Sequence, residues 1–200
     1  IVKMDDKGER IPLTICDYDR EEGTITIVFQ TVGASTEKMA QLKAGDSFRD
    51  FTGPLGCPSE LISEDIESLK NKKILFVAGG VGAAPVYPQV KWMHAHGIDV
   101  DVIVGSKTKD MLILEDAMEA VSGNYYPCTD DGSYGHAGMV TTMVEELVNN
   151  GNKYDVCIAI GPMIRNARII LIKSVSAGTA NVLNSSLILF AKNFSIFAAK

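Results

Sequence analysis

The chain has 200 residues, 46% of them hydrophobic and 22% charged, which is typical of a folded globular protein with one large or two small cores. Its net charge of -6 and its scattered Lys and Arg residues argue against a protein that binds a nucleic-acid backbone. No apolar run of about twenty residues and no cleavable leader is found, so the sequence predicts no membrane span and a cytoplasmic location.

Short strands are predicted in the first seventy residues. Apolar and polar residues alternate over 24–30, as in a half-buried strand, and residues 47–51 follow a Gly-Asp turn as another short strand. Between them, residues 35–42 have helical composition, with Ser35 or Thr36 as the N-terminal cap. The segment Gly-Pro-Leu-Gly at 53–56 predicts a sharp turn.

After a boundary near residue 70, strands and helices alternate strictly. Strands are predicted at 74–78, 100–104, 124–128 and 156–160, and helices at about 85–96, 114–121 and 140–149. This alternation predicts a parallel sheet wrapped by crossover helices.

The first of these strands runs into a glycine-rich turn, Gly79, Gly80 and Gly82, followed by Ala83 and Pro85. Glycines let the backbone approach a pyrophosphate, and the first N–H groups of the following helix favour an anion. Pro85 stands where the common dinucleotide motif has its third glycine, so the turn belongs to a different nucleotide-binding lineage or to none. An ordinary tight strand–helix connection is the alternative.

Polar or glycine-containing turns also follow the other predicted parallel strands. Their candidate residues are Gly105, Ser106, Asp130, Asp131, Gly132, Gly161 and Pro162. Because ligands of open parallel sheets bind beyond the carboxyl ends of the strands, these turns favour a cofactor cleft at one edge.

Four cysteines are widely separated and form no C-x-x-C pair, namely Cys16, Cys57, Cys128 and Cys157. This spacing favours free buried thiols over a local zinc or iron–sulfur motif. His94 and His96 are two residues apart on a predicted helix and point in different directions, which disfavours a metal pair. We therefore predict no metal ligands.

The chain resembles the ferredoxin–NADP reductase superfamily from about residue 8 to residue 163. Within it, the chain is similar to electron-transfer subunits of the NADH-dependent reduced ferredoxin:NADP oxidoreductase type, also described as sulfide dehydrogenase beta subunits, and of the dihydroorotate dehydrogenase type. The segments that carry the resemblance are 10–14, 33–36, 53–56, 79–88, 112–116 and 129–135.

The resemblance implies an α/β protein: an incomplete antiparallel flavin-binding β-barrel at 1–70, a parallel-sheet NAD(P)-binding domain at 71–163 and a divergent tail at 164–200. It implies an oxidoreductase subunit that takes hydride from NADH onto FAD and passes electrons to a larger iron–sulfur flavoprotein subunit, and indirectly to ferredoxin. A dihydroorotate dehydrogenase electron-transfer subunit and a non-catalytic nucleotide-binding remnant are the alternatives.

The resemblance also assigns roles to residues of the first segment. Arg10 would bind the flavin phosphates, Pro12, Leu13 and Thr14 would run along the isoalloxazine ring, and the helix start with Gly33, Ser35 and Thr36 would bind the pyrophosphate. Without the resemblance, Arg10 would be an ordinary surface arginine. No side chain is assigned as a catalytic acid or base, since the flavin accepts the hydride.

The carboxylates of Asp130 and Asp131 bear on the choice of coenzyme. In this position they would repel the 2′-phosphate of NADPH and accept hydrogen bonds from a free ribose hydroxyl, which favours NADH. A turn selected only for its backbone conformation is the alternative.

Two departures from the family pattern are expected to matter. The first strands of the flavin barrel are missing, which puts flavin affinity in question. No cysteine follows Cys157, so the cysteine ligands of the family's 2Fe-2S cluster are absent and the tail after residue 163 is either diverged or frame-shifted.

Overall fold

Antiparallel strands form the first part of the chain in the computed structural model, which describes residues 1–161, 169–170 and 188–189. These strands are β1 (Val2–Lys3), β2 (Arg10–Ile11), β3 (Ile15–Asp19), β4 (Thr24–Ile27) and β5 (Asp50–Phe51). The central strand β1 pairs with β2 and β5, and β3 pairs with β4 as a separate ribbon.

Aspartate side chains close the tight turns between these strands. The Asp5 carboxylate accepts a hydrogen bond from the Lys7 backbone N–H at 2.9 Å, between β1 and β2. Asp19 accepts from the N–H groups of Glu21 and Glu22 at 2.8 and 2.9 Å, between β3 and β4. Such side-chain turns fix the hairpin connections locally, without a large core.

Two short helices follow in the first part of the chain, α1 (Ala34–Met39) and α2 (Ile66–Lys70). The remaining α-helices and strands up to residue 160 are β6 (Ile74–Gly79), α3 (Ala83–Ala95), β7 (Val100–Ser106), α4 (Glu115–Val121), β8 (Asn124–Thr129), β9 (His136–Ala137), α5 (Val140–Asn149) and β10 (Val156–Ile160). Their five strands form a parallel sheet in the order β10-β6-β7-β8-β9. Beyond it, β11 (Ile169–Ile170) and β12 (Ile188–Leu189) pair antiparallel.

The sheet is covered on both faces, which explains why strand β6 is apolar at every position. Ile74 and Phe76 of β6 belong to the core cluster that includes residues of α3 and α4. Leu75 and Val77 belong to a second cluster, which includes Met143 of α5. Successive side chains of a strand point to opposite faces, so a continuous apolar run indicates burial on both.

A buried carboxylate, Asp101, lies near the edge of the sheet where the parallel strands begin. Asp101 is 5% exposed and accepts hydrogen bonds from the Tyr154 hydroxyl at 2.6 Å and from Asn124 Nδ2 at 2.7 Å. The Lys73 ammonium lies 3.8 Å from the same carboxylate and 5.0 Å from the centre of the Tyr154 ring. This network fixes the segment before β10 against the starts of β6 and β7.

We expect Tyr154→Phe to lower the free energy of unfolding by about 1–3 kcal/mol, because a hydrogen bond to a buried charged group is lost. Tyr125→Phe is the matched control. The Tyr125 hydroxyl is buried and has no hydrogen-bond partner among the described residues, so its removal should leave stability unchanged or raise it. Urea unfolding of both variants checks the pair, and equal losses in the two would contradict it.

The α/β class and the parallel sheet with crossover helices are confirmed. Helix α5 has the predicted bounds, and α3 and α4 begin within two residues of theirs. The predicted strand at 24–30 ends at Ile27, and the one at 47–51 contains only its last two residues as strand. No helix in the described part of the chain is long and apolar enough to cross a membrane.

Candidate functional site

Four strands of the parallel sheet end at the same edge, where the sequence predicts a cofactor cleft. The last residues of β6, β7, β8 and β10 are Gly79, Ser106, Thr129 and Ile160. Residues Gly80–Gly82 form a single 3₁₀ turn between β6 and α3, and Gly80 has a φ of +51°. The structure therefore brings the predicted glycine turn and the predicted polar turns to one edge, while Pro162 lies outside the described residues.

Two glycines at this edge, Gly82 and Gly161, are required by backbone packing inside the protein, independently of any nucleotide. A Cβ atom on Gly82 would lie 2.3 Å from the carbonyl oxygen of Ile160, and one on Gly161 would lie 3.0 Å from Gly79 Cα. The ends of β6 and β10 thus pack backbone to backbone. Ala83 and Pro85, which follow in α3, are buried, so their side chains face the core.

Gly105 has a comparable packing role at the end of β7. A Cβ atom there would lie 2.3 Å from Cγ1 of Val140, the first residue of α5. The next residue, Ser106, donates its hydroxyl to the Thr108 carbonyl at 2.6 Å. A glycine at this position therefore lets α5 approach the sheet closely.

The turn after β8 contains two neighbouring carboxylates, Asp130 and Asp131. The sequence predicts both as coenzyme ligands, but their contacts in the structure differ. Asp131 accepts hydrogen bonds from the Ser133 backbone N–H at 2.9 Å and from its hydroxyl at 2.6 Å, which hold the pKa of Asp131 below its usual range. Asp130 is exposed, and its carboxylate has no partner in the part of the chain that the structure describes. Asp131 thus stabilises the turn, whereas Asp130 is free to contact a ligand.

This turn is tied to the one that follows β7. The backbone N–H of Asp130 donates to the Ser106 carbonyl at 3.0 Å, and that of Asp131 donates to the Lys107 carbonyl at 3.2 Å. Farther along, the Lys109 N–H donates to the Ser133 hydroxyl at 3.0 Å. The contacts hold the Asp130 backbone in place before any ligand binds.

A second concave region lies in the antiparallel part of the chain. The groove has a volume of about 420 Å³ and contains Pro12, Leu13 and Thr14, as the sequence predicts. Its other residues are Ile1, Val2, Ile15, Ile27 and 51–56. Phe51 and Leu55 are 42% and 52% exposed, so apolar surface faces the groove. Residues 51–56 were not predicted as site residues, although their Gly-Pro-Leu-Gly sequence was a signal.

The other predicted residues of this part lie outside the groove lining. Gly33 caps α1, and its backbone N–H donates to the Thr36 hydroxyl at 3.1 Å, which donates in turn to the Gly33 carbonyl at 2.9 Å. Ser35 lies in the first turn of the same helix. The Thr36 side chain therefore caps its own helix.

Arg10 forms an exposed ion pair with Asp50, at 2.8 Å between Nη2 and Oδ2. The hydrogen bond from Arg10, helped by one from Thr52, holds the pKa of Asp50 below its usual range. The pair links β2 to β5 across β1, next to the groove. An anion bound by Arg10 must compete with this carboxylate.

We expect Arg10→Leu to raise the pKa of Asp50 toward the ordinary carboxyl value. Because the folded-state pKa is lowered, the stabilising contribution of the pair is present above the unfolded pKa of about 3.9 and is lost as pH falls through the folded value. Carboxyl NMR titration measures the change. Lys38→Leu is the control: it should raise the pKa of Asp5, its partner at 2.8 Å, and leave Asp50 unchanged.

Comparisons with known proteins find relatives over most of the chain. No family model matches the chain. A Clostridium beijerinckii protein, described as an uncharacterized protein in the adh 3′ region, is 64% identical over 165 residues, which are 82% of this chain and 56% of that protein. A Thermotoga maritima homolog of the dihydroorotate dehydrogenase B (NAD(+)) electron transfer subunit is 40% identical over 164 residues, 82% of this chain and 55% of its own length.

Among solved structures, that of the NADH-dependent reduced ferredoxin–NADP oxidoreductase, studied for flavin-based electron bifurcation, matches with a TM-score of 0.70 and 38% identity. The match covers 82% of this chain and 56% of that chain. The chain is therefore similar in sequence and fold to proteins of the ferredoxin–NADP reductase-like superfamily. It spans little more than half the length of the relatives it matches.

The 2Fe-2S cluster expected of this reductase-like family does not fit the cysteines of the chain. Cys16, Cys128 and Cys157 are buried in three different strands, and Cys57 is exposed. Burial raises the pKa of Cys16 to about 11 and those of Cys128 and Cys157 to about 12, which disfavours the thiolate that binds a metal. Among the described residues, no group of three or more His, Cys, Asp or Glu side chains could hold a metal ion.

Proposed function

We propose that this reductase-like chain is a flavoprotein electron-transfer subunit, which takes hydride from NADH onto FAD and passes electrons to a partner subunit. The observation that carries the proposal is the groove of about 420 Å³ beside Pro12, Leu13 and Thr14. Its volume lies in the range of sites for cofactors and other small molecules. The relatives support the same function, because their names describe electron-transfer subunits.

The groove residues fit the flat ring of a flavin. Pro12, Leu13 and Phe51 offer apolar surface, and Thr14 offers its hydroxyl group to a polar ring edge. Arg10 would bind the phosphates by exchanging Asp50 for them, and the start of α1 would bind the pyrophosphate. When bound, FAD would supply the exchange between a two-electron donor and one-electron acceptors.

The carboxyl edge of the parallel sheet would hold NADH. The turn Gly80–Gly82 would approach the pyrophosphate, and Asp130 would accept hydrogen bonds from the free hydroxyls of the adenosine ribose. Accordingly, we assign residues 1–70 to an FAD-binding part and residues 71–163 to an NAD(H)-binding part. Buried free thiols stay reduced in the cytoplasm, which supports a location there.

The partner that we favour is a larger iron–sulfur flavoprotein subunit, with ferredoxin reached indirectly. The 38% identical structure of the NADH-dependent reduced ferredoxin–NADP oxidoreductase supports this choice. The second candidate is transfer between dihydroorotate dehydrogenase and NAD, which the names of relatives from Thermotoga maritima and Fusobacterium nucleatum support.

FAD titration of the purified chain, followed by quenching of flavin fluorescence, tests the first step. Saturable one-to-one binding is expected, and a chain that takes up no FAD would refute the proposal. To choose between partners, the NADH-reduced chain is mixed anaerobically with a dihydroorotate dehydrogenase catalytic subunit and orotate. Orotate-dependent reoxidation would favour the second candidate, whereas reoxidation only by an iron–sulfur flavoprotein subunit would favour the first.

A further inference from the structure

A lysine of the parallel-sheet part contacts the strand that leads out of the groove. Lys91 Nζ lies 2.6 Å from Asp17 Oδ1. The same ammonium lies 5.6 Å from the ring centre of Tyr18 and 5.9 Å from that of Tyr87. Lys91 and Tyr87 belong to α3, and Asp17 and Tyr18 belong to β3.

The Asp17–Lys91 ion pair is stabilised by more interactions than a typical surface ion pair. The side chains of Lys91 and Asp17 are 38% and 31% exposed, and the aromatic rings add cation–π attraction. The hydrogen bond that Lys91 donates to Asp17 raises the pKa of Lys91, so the ammonium stays charged. Beside it, Cys16 and Tyr87 belong to one core cluster, which gives the contact an apolar base.

Strand β3 and helix α3 meet at this point, and each begins at one of the two candidate binding regions. Ile15, the first residue of β3, and Thr14 before it line the groove. Helix α3 begins at Ala83, directly after the turn Gly80–Gly82. Lys91 lies about 12 Å along that helix from its start. The groove and the glycine turn are therefore joined through β3, the Asp17–Lys91 pair and α3.

We propose that Lys91 is a positioning residue, which holds the groove and the glycine turn in one mutual orientation through Asp17. This inference rests on the proposed function, because the two regions would hold the flavin and the nicotinamide coenzyme. Hydride transfer needs the reacting atoms at about 3–3.5 Å, and a misplacement of about 1 Å costs roughly a hundredfold in rate. Lys91 itself does not line the groove.

The orientation itself is measured without any cofactor, by double electron–electron resonance on the full chain. The exposed Cys57 follows the groove segment and takes one spin label, while the other three cysteines are buried. Met111→Cys, at a position 47% exposed in the turn after β7, takes the second. We expect Lys91→Met to broaden or shift the distance distribution and Lys91→Arg to restore it, because Arg keeps the charge and stacks on aromatic rings.

Lys70→Met is the matched control. Lys70 is also 38% exposed and pairs with Glu67 at 2.9 Å, but within a single helix. Its loss should leave the label distance unchanged. Asp17→Asn is the second variant, which should act like Lys91→Met from the other side of the pair and covers the case that Lys91→Met fails to fold.

Stopped-flow reduction of the FAD-loaded chain by NADH is the functional arm. Lys91→Met should lower the limiting rate of reduction roughly ten- to a hundredfold, with the NADH concentration at half-saturation within about twofold of the parent chain. Lys91→Arg should recover most of the rate, and Lys70→Met should keep it.

Each result supports or overturns the proposal. An unchanged distance distribution in both Lys91→Met and Asp17→Asn overturns it, as does a changed distribution with an unchanged limiting rate. If the parent chain takes up no FAD, the proposed function fails, and the resonance arm still decides whether Lys91 holds the orientation.

Discussion

Replacing Gly82 with alanine is expected to lower the free energy of unfolding by about 3 kcal/mol. The new methyl group would lie 2.3 Å from the Ile160 carbonyl oxygen and 2.8 Å from its carbon, and backbone atoms cannot rotate away. Overpacking of this kind typically costs about 1–3 kcal/mol, occasionally more. Alanine is the better helix former by about 1 kcal/mol, so the steric cost outweighs the gain in propensity.

Gly33→Ala is the control, because no atom lies within 4 Å of a Cβ there and the backbone is extended, with a φ of -174°. Urea unfolding of both variants without nucleotide measures the difference. If Gly82→Ala is as stable as the parent chain, the turn Gly80–Gly82 does not pack against the end of β10 as described. The glycine would then be required only for the approach of a nucleotide.

Replacing Asp130 with serine is expected to raise the preference for NADPH over NADH about tenfold, which corresponds to about 1.4 kcal/mol. The exposed Asp130 carboxylate has no partner among the described residues, so it is available to repel a 2′-phosphate and to accept a bond from a ribose hydroxyl. Serine removes the repulsion and offers the phosphate a donor.

Asp131→Ser separates this role from that of the turn. Asp131 already accepts two hydrogen bonds from Ser133, so its loss should reduce the order of the turn and leave the coenzyme preference within about twofold. The measurement is the ratio of kcat/KM for the two coenzymes with an artificial electron acceptor. A larger change in Asp131→Ser than in Asp130→Ser would contradict the assignment.

The parallel sheet could be predicted because its signal is local. Strand β6 is buried on both faces, so its continuous apolar run and the glycines after it mark the strand and its end. In the first seventy residues the strands β1, β2 and β5 have two residues each. Their pairing depends on contacts far apart in the chain, such as Lys3 with Asp50, which no local period reveals.

Only part of the candidate site could be predicted, because its residues come from separate parts of the chain. Pro12, Leu13 and Thr14 were found by family resemblance and line the groove, but the sequence alone does not bring residues 51–56 opposite them. The different roles of Asp130 and Asp131 depend on where the Ser133 hydroxyl points. The Asp17–Lys91 contact joins residues 74 positions apart.

The visible absorption spectrum of the FAD-treated chain, recorded anaerobically before and after NADH is added, tests the central claim most directly. We predict that the protein-bound flavin absorbs at wavelengths close to those of free flavin. This absorption band should bleach when NADH is added, and bleach more slowly with NADPH. A chain that stays colourless after gel filtration, or a bound flavin whose band persists with excess NADH, would contradict the assignment of this chain as an NADH-dependent flavoprotein subunit.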